Sequence, residues 1–164
     1  MGKYTVIDGG VTAAAGFKAA NTAAGIKYTD RDDMAMIVSD SPCVTAATFT
    51  SNVVKAAPVI WDKRCVEQGT PVRAVVINAG IANACTGDEG MELCEKTARA
   101  AADSIGCGTT DVLVASTGVI GMQLPVEKLQ NGIEDMYGKL SDTREAAHAA
   151  ARAIMTTDTI PKEA

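Results

Sequence analysis

Aromatic side chains make up only 4% of this 164-residue chain, which carries one histidine and one tryptophan. With so few rings, the core has to be built from Ala, Val, Ile, Leu and Met, whose small side chains let packed elements approach closely. No two of the five cysteines, Cys43, Cys65, Cys85, Cys94 and Cys107, stand at the CxxC spacing of a zinc or redox motif. His148 is far from all of them in sequence, so no metal and no cofactor is expected, and the cysteines read as free thiols of a reducing compartment. Positive charge is short as well: 15 basic against 20 acidic residues give a net charge of −5, and no basic run exceeds Lys63-Arg64. That balance argues against a nucleic-acid partner. No apolar stretch approaches the roughly 20 residues that span a bilayer, and the start MGKYTVIDGG lacks the apolar core of a signal peptide. A cytoplasmic location is therefore the expectation. GxxxxGK, GxGxxG, HExxH and GxSxG are all missing, which makes nucleotide binding and the common hydrolase triads poor readings.

What is present is 47% hydrophobic residues with a high Ala content and 15 glycines, within the usual size of one domain spanning 1–164. Tyr4 to Ile7 alternates as a short strand would. The stretch 11–25 is ambiguous. Met34–Ser39 and Cys43–Thr50 are strand candidates separated by Asp40-Ser41-Pro42, a break compatible with an antiparallel hairpin. The region 62–67 is helical or irregular. Val72–Ile77 is a near-continuous apolar run, as in a strand buried on both faces. Apolar residues at 91, 94, 98, 101 and 105 predict an amphipathic helix over 88–105, with Thr86 or Asp88 as its cap. Val112–Ala115 is the next strand. Pro125 sits at a helix start, followed by Val126, Leu129, Ile133, Met136 and Leu140 at helical spacing. Ser141 or Asp142 can cap a last helix whose Ala146, Ala150 and Ala153 share a face. The order predicts a mixed α/β layered structure.

Two strand exits concentrate Gly, Thr and Asn: NAGIANACTG at 78–87 and STGVIG at 116–121, the second running to Leu124-Pro125. Dense small residues and amides suit a backbone brought close to a ligand. Thr117 and Gly118 can present a hydroxyl and a backbone N–H to one point, as an oxyanion hole does, or they can simply make a strand-to-helix turn. Asn78 and Asn83 can orient a substrate or pin their own loop. The stretch Thr156-Thr157-Asp158-Thr159 can meet the polar end of an amino acid or cap a helix end.

These residues lie in stretches that resemble the ornithine acetyltransferase family, also called bifunctional glutamate N-acetyltransferase and amino-acid acetyltransferase. The matching stretches are GFKAANTAAGIK (16–27), MAMIVSD (34–40), TFTSNVVKAAPV (48–59), VVINAGIANACTG (75–87), VLVASTGVIGMQLP (112–125) and AIMTTDTIPKEA (153–164). The resemblance implies the mixed-sheet layered α/β fold of the self-cleaving N-terminal-nucleophile type, shared with DmpA-like aminopeptidases. It implies an enzyme of arginine biosynthesis made as one precursor that cuts itself before a threonine into α and β chains. The new N-terminal Thr of the β chain attacks the acetyl group of N-acetylornithine, and the acetyl-enzyme passes it to glutamate. Thr117 and Gly118 match the family's oxyanion pair, and Thr157, with Thr156 as the less favoured neighbour, matches a substrate-contacting threonine. The partners implied are the β chain in an αβ hetero-oligomer, N-acetylornithine and glutamate. Whether acetyl-CoA is a second donor stays open.

The chain departs from the family pattern at Ala13-Ala14-Ala15, where a proline and a lysine are expected, and at Ile81, where Asn is usual. The expectation is that this is most of the α chain, with the β chain and cleavage site absent from the sequence. The competing readings are a non-catalytic fragment or interaction module, and a related amidohydrolase releasing the acyl group to water.

Overall fold

The computed structural model describes Thr5, Ile7 and residues 9–163. The strand expected at 4–7 falls largely outside the described residues. The elements run β1 (Phe17–Thr22), β2 (Met34–Cys43), α1 (Ala57–Glu67), β3 (Val72–Ile81), α2 (Gly87–Ile105), a short 3-10 turn, β4 (Val112–Val119), α3 (Val126–Tyr137) and α4 (Arg144–Ala153). The sheet has the order β1-β2-β3-β4. The first two pairings are antiparallel, and β3 and β4, joined through α2, are parallel. A mixed α/β layered fold was the expectation, and it is what forms.

The registers sort the side chains into two faces. Met34, Met36 and Val38 stand beside Ala74 and Val76 and then Val112 and Val114. This face is buried under α1, α2 and α3, with Trp61, Cys65, Cys94, Leu129, Ile133 and Met136 completing the main core. On the opposite face α4 lays Ala150 and Ala153 on Ala19 and Ala35. Side chains this short bring the helix close to the sheet. Because α4 covers β1 and β2, the outer side chains of β3 and β4 (Val75, Ile77, Leu113 and Ala115) stay half-buried. The expectation that β3 is buried on both faces therefore fails on that side.

Four local expectations need correction. The hairpin of 34–39 with 43–50 does not form. β2 continues through Pro42 to pair Cys43 with Val72, with a bulge between Val38 and Cys43, and 44–54 runs as irregular, largely exposed chain. The β-branched residues there cannot fold back to pair with β2, because β2 already has β1 and β3 as neighbours. β4 does not end at Ala115 but continues through Thr117-Gly118 to Val119, since β3 extends to Ile81 and offers a parallel partner that far. Thr86 stands at the N-cap of α2 without a side-chain cap bond, and Asp88 lies inside the helix. For α4 the cap is Thr143, whose hydroxyl accepts the Ala146 N–H at 3.3 Å, while Ser141 instead pairs with Ala19 as an added bridge.

Candidate active site

Parallel pairing sets Asn78 beside Ser116, Ala79 beside Thr117, Gly80 beside Gly118 and Ile81 beside Val119. Both Gly-rich stretches thus leave the sheet side by side, at the carboxyl ends of two parallel strands, the usual ligand-binding position of such sheets. The link from β1 to β2 joins them, because Thr22 and Met34 lie at the same end of the sheet as Asn78. Asp33 fixes this link. Its side chain, fully buried, accepts the N–H groups of Ala24 (2.8 Å) and Ile26 (2.6 Å), and its carbonyl accepts the Ala79 N–H at 2.8 Å.

The loop after β3 is held by its own amides. Asn78 donates to the Ile81 carbonyl at 2.9 Å, and Asn83 donates to Gly90 O at 2.9 Å while its side-chain oxygen accepts the Thr86 hydroxyl at 2.7 Å. The Asn83 carbonyl accepts the first N–H of α1, from Ala57. These bonds hold Asn83 and Cys85 at φ of 48° and 56°, left-handed values that non-glycine residues rarely adopt. Of the two roles open for these asparagines, the structure gives them the loop-pinning one. The loop after β4 is tied to it through Ala82 N–H to Val119 O and Gly121 N–H to Ala84 O, each 2.9 Å, and through Gln123 to Thr86 O at 3.0 Å.

Thr117 and Gly118 are exposed on β4, an edge strand. Gly118 has φ +134° and Gly80 φ +118°, and a Cβ on Gly118 would strike the Gly80 carbonyl. Only a glycine at 118 permits the two backbones to come this close. A Cβ on Gly80 would lie 2.8 Å from the Lys27 Cβ, so the 23–33 loop rests on this pair. Val119 O faces β3, and since successive residues alternate edges, the Gly118 N–H faces away from it, toward the open edge. Beside the pair, the Ser116 hydroxyl is buried with no hydrogen-bond partner among the described residues.

The TTDT stretch follows α4 at the same end. Arg31 stacks over Tyr28 at 4.5 Å and donates to the Met155 carbonyl, tying the end of α4 to the 23–33 loop. Thr156 is half-buried and Thr157 exposed. The Asp158 carboxylate is held below its usual range by the hydrogen bond and charge of Lys162. A cleft of about 760 Å³ opens there, lined by Asp30, Arg31, Asp32, His148, Arg152 and Thr159 among others. The structure brings Thr117 and Gly118 together but not against Thr156 and Thr157. α4 lies over β1 and β2, leaving about two strand spacings, ~10 Å, between the two groups. His148 pairs with Glu163 at 2.5 Å.

Sequence reasoning missed Asp33 and Asp62. Asp62 accepts the Val114 N–H at 2.9 Å, and its neighbour Trp61 donates from Nε1 to the Val112 carbonyl at 3.0 Å. Burial raises the Asp62 carboxyl to about 6, against the pull of the Val114 bond. Burial, with the Asp62 charge adding to it, pushes the Cys65 thiol to about 11 and Cys94 higher still, so both thiols stay neutral and unreactive. The available signal was an acidic residue beside the apolar stripe Ala57, Trp61, Cys65.

Comparison with known proteins meets this geometry. The model of the ArgJ family matches residues 18–164. The chain belongs to the ArgJ family. It is 43% identical over 162 residues to the arginine biosynthesis bifunctional protein ArgJ of Gloeobacter violaceus, covering 99% of this chain and 39% of that protein. To the protein of the same name from Streptomyces coelicolor it is 49% identical over 153 residues, covering 93% of this chain and 39% of the relative. The chain thus spans about two fifths of the length of these ArgJ relatives. A crystal structure of ArgJ from Bacillus halodurans superposes with a TM-score of 0.88 at 38% identity, over 93% of this chain and 78% of that one. Ornithine acetyltransferase from Mycobacterium tuberculosis, solved in complex with ornithine, gives 0.89 at 42% identity over 94% and 83%. The fold is that of these ArgJ structures, of the N-terminal-nucleophile type.

Proposed function

We propose that this ArgJ-family chain is the part of an acetyltransferase of arginine biosynthesis that supplies the oxyanion hole and one wall of the substrate pocket. The acetyl group moves from N2-acetylornithine to glutamate. The attacking threonine begins a second chain, the β chain, cut from the same precursor. Its hydroxyl adds to the acetyl carbonyl, the terminal amine takes the proton, and the oxyanion collapses to release ornithine and leave an acetyl-threonine ester. The glutamate amine then reverses the sequence. Thr117 Oγ and the Gly118 N–H hold the oxyanion, and Thr157, with Thr156, contacts the amino-acid part. Acetyl-CoA is a candidate second donor.

The observation that carries this reading is the Gly80–Gly118 pairing, which presents Thr117 and an outward-facing N–H at the open edge of β4. The half-buried stripe Val75, Ile77, Leu113 and Ala115, and the exposed Val44, Val53 and Val54, supply apolar surface on which the β chain docks. By this reading residues 1–164 form one domain and are inactive alone. In the complete enzyme, Thr117→Ala lowers kcat by about 10² to 10³, the effect of losing one oxyanion donor. An unchanged kcat removes Thr117 from the mechanism. Acetyl release that runs equally fast with and without glutamate points instead to a hydrolase.

A further inference from the structure

β4 is an edge strand, and an edge strand leaves every second N–H and C=O without a ladder partner. Those outward groups belong to Val112, Val114, Ser116 and Gly118, since Val119 turns its carbonyl to β3 and neighbours alternate. α1 engages one group of each of the first two. The Trp61 indole takes the Val112 carbonyl at 3.0 Å and the Asp62 carboxylate takes the Val114 N–H at 2.9 Å, both side chains coming from adjacent residues of one helix. The helix is itself tied to the site, because its first N–H, on Ala57, is held by Asn83. The same edge therefore carries a fixed half and, beyond it, the half that presents Gly118.

We infer that Trp61 and Asp62 form a brace that sets the position of the Thr117-Gly118 peptide, with Asp62 a positioning residue for acetyl transfer. The inference rests on the oxyanion assignment made above. Trp61 is almost fully buried, so the helix has little freedom to slide over the strand, and Asp62 is the point where it grips. Asp62 lies near the neutral thiols of Cys65 and Cys94, and burial is what raises its carboxyl. At pH 8 it is ionised, and the bond it accepts is charge-assisted. A strand released at Val114 keeps its ladder to β3 but loses its outer restraint one alternation before Ser116. Oxyanion donors act only when held at the developing charge, and displacement by about an ångström is worth roughly 10²-fold.

The test uses the complete enzyme at pH 8, with N-acetylornithine and glutamate, and compares Asp62→Leu with Asp62→Asn. Leu removes the acceptor, whereas Asn retains an oxygen for the Val114 N–H. The expected result is a kcat lowered about tenfold or more in D62L with KM for N-acetylornithine within twofold, and kcat restored to within about threefold in D62N. Equal kcat in folded D62L and the parent overturns the inference, as does an equal loss in both variants. Hydrogen exchange of residues 112–119 gives an arm independent of activity. Faster exchange in D62L reaching the ladder amides of Thr117 and Val119, which face β3, is expected, and a change confined to Val114 refutes transmission along the strand. A parent enzyme that moves no acetyl group at all sinks the function reading instead, while the exchange arm still decides the brace.

Discussion

Replacing Asp33 by Asn tests how the 23–33 loop is held. The substitution is nearly isosteric, so it leaves packing alone and changes only what the side chain can accept. In the parent, two carboxylate oxygens receive the Ala24 and Ile26 N–H groups at 2.8 and 2.6 Å in a fully buried position. Asparagine has one acceptor oxygen. Whichever way the amide turns, one backbone N–H faces an NH2 group and is left unpaired. Losing one hydrogen bond to a charged acceptor is worth about 1.5–3 kcal/mol, and an unsatisfied buried donor adds about 1–3 kcal/mol. The sum, about 2.5–6 kcal/mol, is large beside the 5–15 kcal/mol that holds a typical domain together.

The loss has to appear first as local opening, because a loop can unfold at less than the global free energy. The Ala79 N–H bond to the Asp33 carbonyl uses main-chain atoms and survives the change. Hydrogen exchange at Ala24 and Ile26 is the assay, with urea melts beside it. The expected result is a protection loss of at least about 50-fold at these amides, since each 1.4 kcal/mol is tenfold. The contacts of Lys27 with Gly80 and of Arg31 with Met155 loosen as well. Protection unchanged within tenfold, with an unchanged melt, refutes the argument that the carboxylate organises this loop.

Gly118→Ala forces a Cβ into the Gly80 carbonyl at a φ of +134°, so a loss of about 3 kcal/mol or more is expected in urea melts; a loss under 1 kcal/mol means the two backbones can part freely. Asp62 gives a pH-dependent prediction. Its folded value of about 6 lies above the 3.8 of the free side chain, so the folded state binds the proton more tightly and stability falls as pH rises from about 4 to about 6. After discounting for partial solvent screening this amounts to about 1–2 kcal/mol, and the difference between parent and Asp62→Asn melts should grow through that window; a difference flat in pH contradicts the burial argument. Ser116→Ala removes a buried hydroxyl that has no partner among the described residues, so stability should hold or rise by up to about 1 kcal/mol, and a clear loss would reveal a partner for that hydroxyl.

Periodicity carried much of the fold in the sequence. Met91, Cys94 and Ala98 sit at helical spacing along α2, and the apolar runs 72–77 and 112–115 mark the central strands. What periodicity could not show was pairing. Cys43–Thr50 has strand-like composition but finds both sides of β2 already paired, while Thr117-Gly118 looks like a turn and is strand because β3 runs on beside it. A pairing is a property of two segments at once, and no local pattern holds it. The candidate site was legible in part for the same reason. Gly, Thr and Asn at two strand exits marked the loops, but Asp33 and Asp62 act on backbone N–H groups 52 residues away or across a loop, and a buried aspartate is written like an exposed one.

An interior strand spends both rows of backbone groups on its neighbours and has nothing left for a substrate. β2 and β3 are in that position; β4 is not. An edge strand can offer N–H groups without breaking a ladder, but an unprotected edge invites pairing with another chain. Here the edge is divided. Its first half is closed by two side chains from α1, and only the half next to the Gly-rich loops remains open. That division explains why the glycine of the pair has to be at 118 rather than earlier on the strand. Val112 and Val114 contribute to the core, and each has an outward backbone group already engaged by α1. The first position past the brace is Ser116, whose side chain turns into the buried face, and Gly118 is the next one whose N–H points out. Thr117, between them, directs its side chain to the opposite, open face of the sheet, where α4 does not reach. A hydroxyl and an amide from adjacent residues thus become available at one corner, and the corner is where β3, β4 and the 23–33 loop all end.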